Sequence, residues 1–144
     1  MLTGISSLLT GPLLMHLDQM GHSDSVVIAD AHFPSARLAH RFVDLPGTSV
    51  TDVLAAIRTV LPLDDDGPLD LMATRAGARL PIHDELVATA RIDAGAPRFV
   101  DRFAFYELAA SAFVIVRTGE QRTYANALLR KGIVPGIAAG GGTS

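Results

Sequence analysis

Four side chains able to move protons or hold hydroxyl groups bracket one short apolar run. His22 and Asp24 stand before Ser25–Ala29, and Asp30 and His32 stand after it. As H-x-D and D-x-H pairs they carry imidazole and carboxylate, which suit zinc or iron. Polar residues also collect at strand ends without any metal, and no third imidazole is spaced to join them. Acid–base chemistry asks for less, because an imidazole titrating near about pH 6.5 gives a proton and takes one back at neutral pH. Asp30 follows a core run, the place where open α/β sheets bind ligands. The plainer alternatives are a His22 set against a helix C-terminus and an Asp30 that closes a turn.

Two further clusters belong to the same inventory. "DRFAFYELA" places Arg102 beside Phe103, Phe105 and Tyr106 in a chain of six Phe and two Tyr. Arginine next to aromatic faces suits a sugar, whose ring stacks while the guanidinium forks onto hydroxyls. The same stretch is also a helix start with an arginine reaching to solvent. Tyr124 and Asn126 are two residues apart and share a face if the segment is extended; ordinary turn chemistry is the other reading.

Composition removes several function classes. The net charge is −3 with no basic stripe, which argues against nucleic-acid binding. The absence of cysteine excludes disulfides, thiolate catalysis and cysteine zinc sites. No P-loop and no G-x-S-x-G elbow occur, and Gly140–Gly142 stands in the tail instead of between a strand and a helix. The longest apolar or small stretch, Leu108–Val116, is far short of the roughly 20 residues of a membrane helix. No signal-peptide pattern opens the sequence, so a soluble cytoplasmic protein is expected. Hydrophobic residues make up 49% of the 144, with mean hydropathy +0.32. That is rich for a monomer and points to apolar subunit contacts.

The elements that must position these groups follow from periodicity and punctuation. Pro12–Met20 reads as a helix ended by Gly21, and Ser25–Ala29 as a buried strand. A loop is expected around "AHFPSA", where Pro34 breaks continuing structure. A strand near Arg41–Leu45 precedes a helix opened by the capping pattern Ser49–Asp52, with Val50, Val53, Leu54, Ile57, Val60 and Leu61 on one side and Pro62 as its stop. "LPLDDDGP" reads as an acidic turn. Leu69–Thr74 is a strand, Pro81 to about Asp93 a helix, Arg98–Val100 a short strand, Phe103–Ala112 a helix and Phe113–Val116 a strand. "TYANALLRKGIV" is either strand or short helix, with strand preferred. Residues 135–144 have nothing to bury and are expected to be disordered. Continuous apolar strands alternating with helices indicate one α/β domain over residues 1–134, a three-layer αβα arrangement with a mainly parallel sheet.

"MLTGISSLLTGPLL", "MGHSD", "VVIADAHFP", "DRFAFYELA" and "TGEQRTYANALLRKGIV" together resemble the L-fucose mutarotase and D-ribose pyranase family, in order and spacing, over about residues 1–134. Residues 62–97 are much less diagnostic. The resemblance implies a three-layer α/β fold, a homo-oligomer that is often a ring, and exchange of sugar anomers with no cofactor and no metal. Motif by motif, it implies His22 as the catalytic acid/base and Asp30 and Arg102 as sugar-binding residues. Tyr124, Ala125 and Asn126 stand where the family has Tyr-Gly-Asn, and the "RFAFYE" stretch is like the fucose branch. Ala125 and Ser23 both replace glycines, so changed backbone geometry is expected at each. The alternatives are ribose pyranase-type exchange or a non-catalytic monosaccharide-binding or transport-accessory protein.

Geometry adds one expectation. Five extended residues at about 3.3 Å each, with their flanks, put His22 and Asp30 some 15–20 Å apart, more than one pyranose spans. Either the backbone bends sharply or one site combines groups from two subunits; the second is preferred, with Tyr124 and Asn126 as the residues expected from a neighbour.

Overall fold

The computed structural model describes residues 1–93 and 95–136. In chain order the elements are α1 (Gly11–Gln19), β1 (Ser25–Ala29), α2 (Ser35–Leu38), β2 (Phe42–Leu45), α3 (Val50–Arg58), β3 (Leu69–Met72), α4 (Pro81–Ala90), β4 (Arg98–Val100), α5 (Arg102–Ala110), β5 (Val114–Thr118) and β6 (Ala127–Arg130). The six strands form one sheet in the order β2-β5-β1-β6-β3-β4. β6 is antiparallel to both β1 and β3, whereas the other pairings are parallel. This is the mainly parallel α/β sheet read from the sequence.

Burial on both faces explains the apolar strands. Val26 and Ile28 of β1 pack with α1, α3 and α4 through Leu13, Leu17, Val53, Ile57 and Leu86. Val27 and Ala29 face the other way, into a second cluster with Phe105 and Ala109 of α5 and Leu38 beside them. Three helices therefore cover one face and two the other, and the central strand has no solvent side that would call for alternation.

Most boundaries lie within a few residues of the expectation. Ser49 caps α3 as read, its hydroxyl accepting from the Asp52 amide at 3.1 Å. The Pro34 loop is a correction: the proline precedes a short helix, α2, because proline fits a helix start, where its missing N–H is no loss. Val60 is 40% exposed, outside the buried stripe assigned to it, because α3 has already ended at Arg58. α4 stops earlier than Asp93, as Arg91 turns left-handed (φ 50°) and Arg58 Nε donates to the Ala90 carbonyl at 2.6 Å. Pro135 and Gly136 belong to no helix or strand. The rest of the expected disordered tail, residues 137–144, lies outside the described residues. No helix among the described residues is long and apolar enough to cross a membrane.

Beyond Arg130 the β6 strand keeps pairing. Leu63 bridges Lys131, and Gly132 donates its amide to the Pro62 carbonyl at 2.8 Å. A Cβ on Gly132 would lie 2.2 Å from the Leu63 carbonyl oxygen, a backbone atom with no rotamer to escape through. Gly132→Ala should therefore destabilise the protein by about 1–3 kcal/mol, the usual cost of overpacking. Urea denaturation, with the midpoint compared at constant slope, measures it.

Candidate active site

The path of the chain from β5 to β6 builds one half of the site. β5 lies beside β1 on one side and β6 on the other, so residues 119–126 arch over the carboxyl end of β1. Asp30, the first residue past that strand, is met from above. Its backbone amide donates to Asn126 Oδ1 (2.8 Å) while Asn126 Nδ2 donates back to Asp30 Oδ2 (3.0 Å). The Ala125 amide reaches the same oxygen at 3.3 Å, and the His32 and Phe33 amides donate to Oδ1 at 2.9 Å each. Burial pushes the Asp30 carboxyl above its ordinary range, against the downward pull of these donors. Asp30 is thus a hub for both the loop after β1 and the arch.

Arg102 and Tyr124 open onto a cleft of about 470 Å³ with Thr74, Arg75 and Phe103. Arg102 is the first residue of α5, whose N-terminus Asp101 caps through the Phe103 and Ala104 amides at 3.0 and 3.1 Å. Its guanidinium lies 4.6 Å from the Phe103 ring centroid. Tyr124 has φ 61°. The segment is therefore not extended there, and Tyr124 does not share a strand face with Asn126 as the extended reading required. Tyr124 looks into the cleft, while Asn126 is buried against Asp30. The positive φ falls on Tyr124 and not on Ala125, which is fully buried in the core. The changed backbone geometry expected at Ala125 does not take the form of a positive φ, and its side chain is one buried methyl group.

His83 belongs to this half and was not singled out from the sequence. It is fully buried, Nδ1 accepts from the Leu80 amide at 3.0 Å, and Nε2 donates to the Met72 carbonyl at 3.1 Å. Burial lowers its proton affinity, so it is a neutral ring with a fixed tautomer. It pins the first turn of α4 to the strand end beneath Tyr124. Its place at a helix start was visible in the sequence; its partners were not.

The other half lies at the opposite end of β1. His22 occupies a turn from Gly21 to Asp24, in which the Asp24 amide donates to the Gly21 carbonyl at 3.1 Å. The carboxylate of Asp24 accepts from the Gly21 amide (2.6 Å) and takes no part with His22. The H-x-D and D-x-H spacings thus serve local turns at both strand ends. His22 Nε2 stands 3.6 Å from Asp64 Oδ1, with 57% of the imidazole exposed. Asp64 Oδ2 accepts from the Ser23 hydroxyl at 2.8 Å. That bond, the Asp66 amide and the nearby His22 hold the Asp64 carboxyl below its ordinary range. His22, Asp64, Asp65, Arg58 and Arg91 line a cleft of about 590 Å³. Asp64 is the functional candidate that the acidic-turn reading missed, because a contact across 41 residues leaves no local pattern.

The continuation of β6 sets both sides of this pair. The Ser23 amide donates to the Lys131 carbonyl, the Lys131 amide to the Asp24 carbonyl, and the Asp64 amide to the Arg130 carbonyl, all within 2.8–2.9 Å. The Lys131 ammonium donates to the Leu17, Asp18 and Met20 carbonyls, closing α1 just before the His22 turn.

The predicted residues therefore divide in two. Asp30, Arg102, Tyr124, Ala125 and Asn126 gather at one end of the sheet, and His22 stands alone at the other. Asn126 and Asp30 of one chain hydrogen-bond directly, and His22 is the group set apart.

Residues 3–134 match the RbsD / FucU transport protein family, and the chain belongs to that family. It is 39% identical over 142 residues to an L-fucose mutarotase of Glaesserella parasuis serovar 5 (strain SH0165), covering 94% of this chain and 97% of the relative. The crystal structure of the fucose mutarotase of Streptococcus pneumoniae in complex with L-fucose superimposes with TM-score 0.86 at 32% identity, over 93% of this chain and 100% of the other. FucU from Bifidobacterium longum gives TM-score 0.86 at 36% identity, over 92% and 100%.

Asp30→Ala leaves the His32, Phe33 and Ala125 amides and the Asn126 side-chain N–H without their acceptor. It should cost about 2–4 kcal/mol of stability and weaken sugar binding as the arch loosens. Thermal unfolding and a sugar titration followed by NMR check the two effects together.

Proposed function

We propose that this protein is a cofactor-independent sugar mutarotase, an isomerase that interconverts the α and β anomers of L-fucose or a closely related aldose. The observation that carries the reading is the pairing of His22 with Asp64 in a family whose curated member at 39% identity is an L-fucose mutarotase. The reaction protonates the ring oxygen, removes the anomeric hydroxyl proton, opens the ring to an aldehyde, lets the carbonyl carbon rotate and closes again. No electrons are transferred and no covalent bond to the protein forms. The exchange already proceeds slowly in water, so positioned acid–base groups worth about 10²–10⁴-fold suffice.

His22 supplies that proton exchange. Its exposed ring is free to meet a sugar, and the Asp64 carboxylate stands 3.6 Å away to orient it. Arg102 and Tyr124 hold sugar hydroxyls from the other cleft. Asp30 and Asn126 act at that end by fixing the arch, and the Ala125 backbone completes it. Because the two halves lie at opposite ends of β1, a working site joins the His22 end of one subunit to the Arg102–Tyr124 end of a neighbour in a homo-oligomer. A cytoplasmic location accords with this chemistry.

NMR exchange spectroscopy across L-fucose, D-ribose and D-galactose tests the activity, with L-fucose expected to exchange fastest. Rates that stay at the buffer value for every aldose would leave a binding or transport-accessory protein. His22→Ala should remove catalysis with sugar affinity kept within about tenfold, and Asp64→Asn should slow exchange by about tenfold or more at similar affinity. Near-normal rates in His22→Ala would overturn the acid/base assignment. Mixing inactive His22→Ala subunits with inactive Tyr124→Phe/Asn126→Ala subunits, after dissociation and reassembly, should restore part of the activity. A site owned whole by each subunit would restore none.

A further inference from the structure

Ser23 stands in a backbone conformation that its side chain does not favour. In the Gly21–Asp24 turn it occupies the third position with φ 71°, where turns with positive φ take glycine or asparagine. A serine in that place adds strain at the residue next to the proposed acid/base, and strain kept at such a position raises the question of what the side chain does.

The hydroxyl has one observed task. Ser23 Oγ donates to Asp64 Oδ2 at 2.8 Å, which leaves Oδ1 as the oxygen facing His22 Nε2 at 3.6 Å. The Asp66 amide makes only a long contact to Oδ1, 3.3 Å. Among the described residues, no other side chain hydrogen-bonds the Asp64 carboxylate, which His22 meets only at 3.6 Å. The frame around the bond is rigid, since the Ser23 amide and the Asp64 amide are both anchored to carbonyls of Arg130–Lys131 at 2.8 and 2.9 Å.

We propose that Ser23 is a positioning residue for the reaction, its hydroxyl locking the Asp64 carboxylate in the rotamer that supports His22. This rests on the mutarotase reading given above. A hydroxyl bonded to a carboxylate is a charge-assisted contact, stronger than a neutral one, and its effect falls on proton transfer more than on sugar affinity. The same bond is the first cause of the low Asp64 proton affinity.

Two substitutions separate the hydroxyl from the backbone. Ser23→Gly relieves the positive φ and removes the donor. Ser23→Asn also tolerates positive φ and offers an amide N–H to the carboxylate. Measured by anomer exchange against sugar concentration, Ser23→Gly should lower kcat about five- to tenfold with KM within about twofold, and Ser23→Asn should recover most of the loss. A wild-type kcat in Ser23→Gly overturns the proposal. So does a raised KM at constant kcat, which would make the hydroxyl a sugar contact, or a Ser23→Asn protein no faster than Ser23→Gly. The carboxyl of Asp64 gives a readout that needs no turnover. Its ¹³C-monitored titration should move to higher pH in Ser23→Gly and return in Ser23→Asn, and an unmoved titration overturns the proposal even where no sugar exchanges. Exchange at the buffer rate in the unaltered protein, by contrast, is the failure of the mutarotase reading alone.

Discussion

The antiparallel placement of β6 between β1 and β3 is the constraint on which both halves of the site depend. A parallel strand in that position would lie in step with β1 and bring its own start to the start of β1. Running the other way, β6 brings Asn126 to the end of β1, where Asp30 waits, and Arg130–Gly132 to its beginning, where His22 turns. Residue pairs Ile28 with Ala127 and Ser25 with Arg130 fix that register. A shift by one residue would turn every side chain of β6 to the other face of the sheet. It would also uncouple Asn126 from Asp30, and the Lys131 carbonyl from the Ser23 amide.

Buried charge marks the places where this register is held. Asp70 on β3 is fully buried and accepts from Arg98 Nε and Nη2 at 2.8 and 2.7 Å and from Arg130 Nη2 at 2.8 Å. It thereby links three adjacent strands on one face. Burial works against its charge, and the two guanidinium groups more than offset that, so its carboxyl lies below the ordinary range. Asp30 differs because its partners are backbone and side-chain amides without full positive charge, and burial prevails. The contrast is physical: ionic partners keep one carboxylate acidic, and neutral dipoles only moderate the other.

Glu120 extends the same logic to the arch. Its carboxylate accepts from Arg122 Nε at 3.0 Å and makes a long contact with the Val50 amide at the start of α3 (3.4 Å), while its carbonyl accepts from the Ala31 amide at 2.8 Å. Gly119 has no room for a side chain, since a Cβ would lie 2.7 Å from the Gly47 nitrogen. The loop that carries Tyr124 is therefore held by packing and polar contacts along its length.

Residue type and order determined much of this by themselves. A run such as Ser25–Ala29, apolar at nearly every position, has to be a strand buried on both faces, and prolines and caps such as Pro12, Ser49 and Pro81 have to start helices, because these are local steric and hydrogen-bonding preferences. The motifs around His22, Asp30, Arg102 and Tyr124 likewise marked the family and its candidate residues. Local patterns carry no information about which strand lies beside which. Only the tertiary structure inserted β6 antiparallel into the sheet, brought Asp64 from an acidic turn to His22, placed the positive φ on Tyr124 instead of Ala125, and gave Ser23 a partner 41 residues away. Each of these depends on contacts between distant segments, formed when several apolar faces are buried together, and such contacts leave no periodicity in the chain.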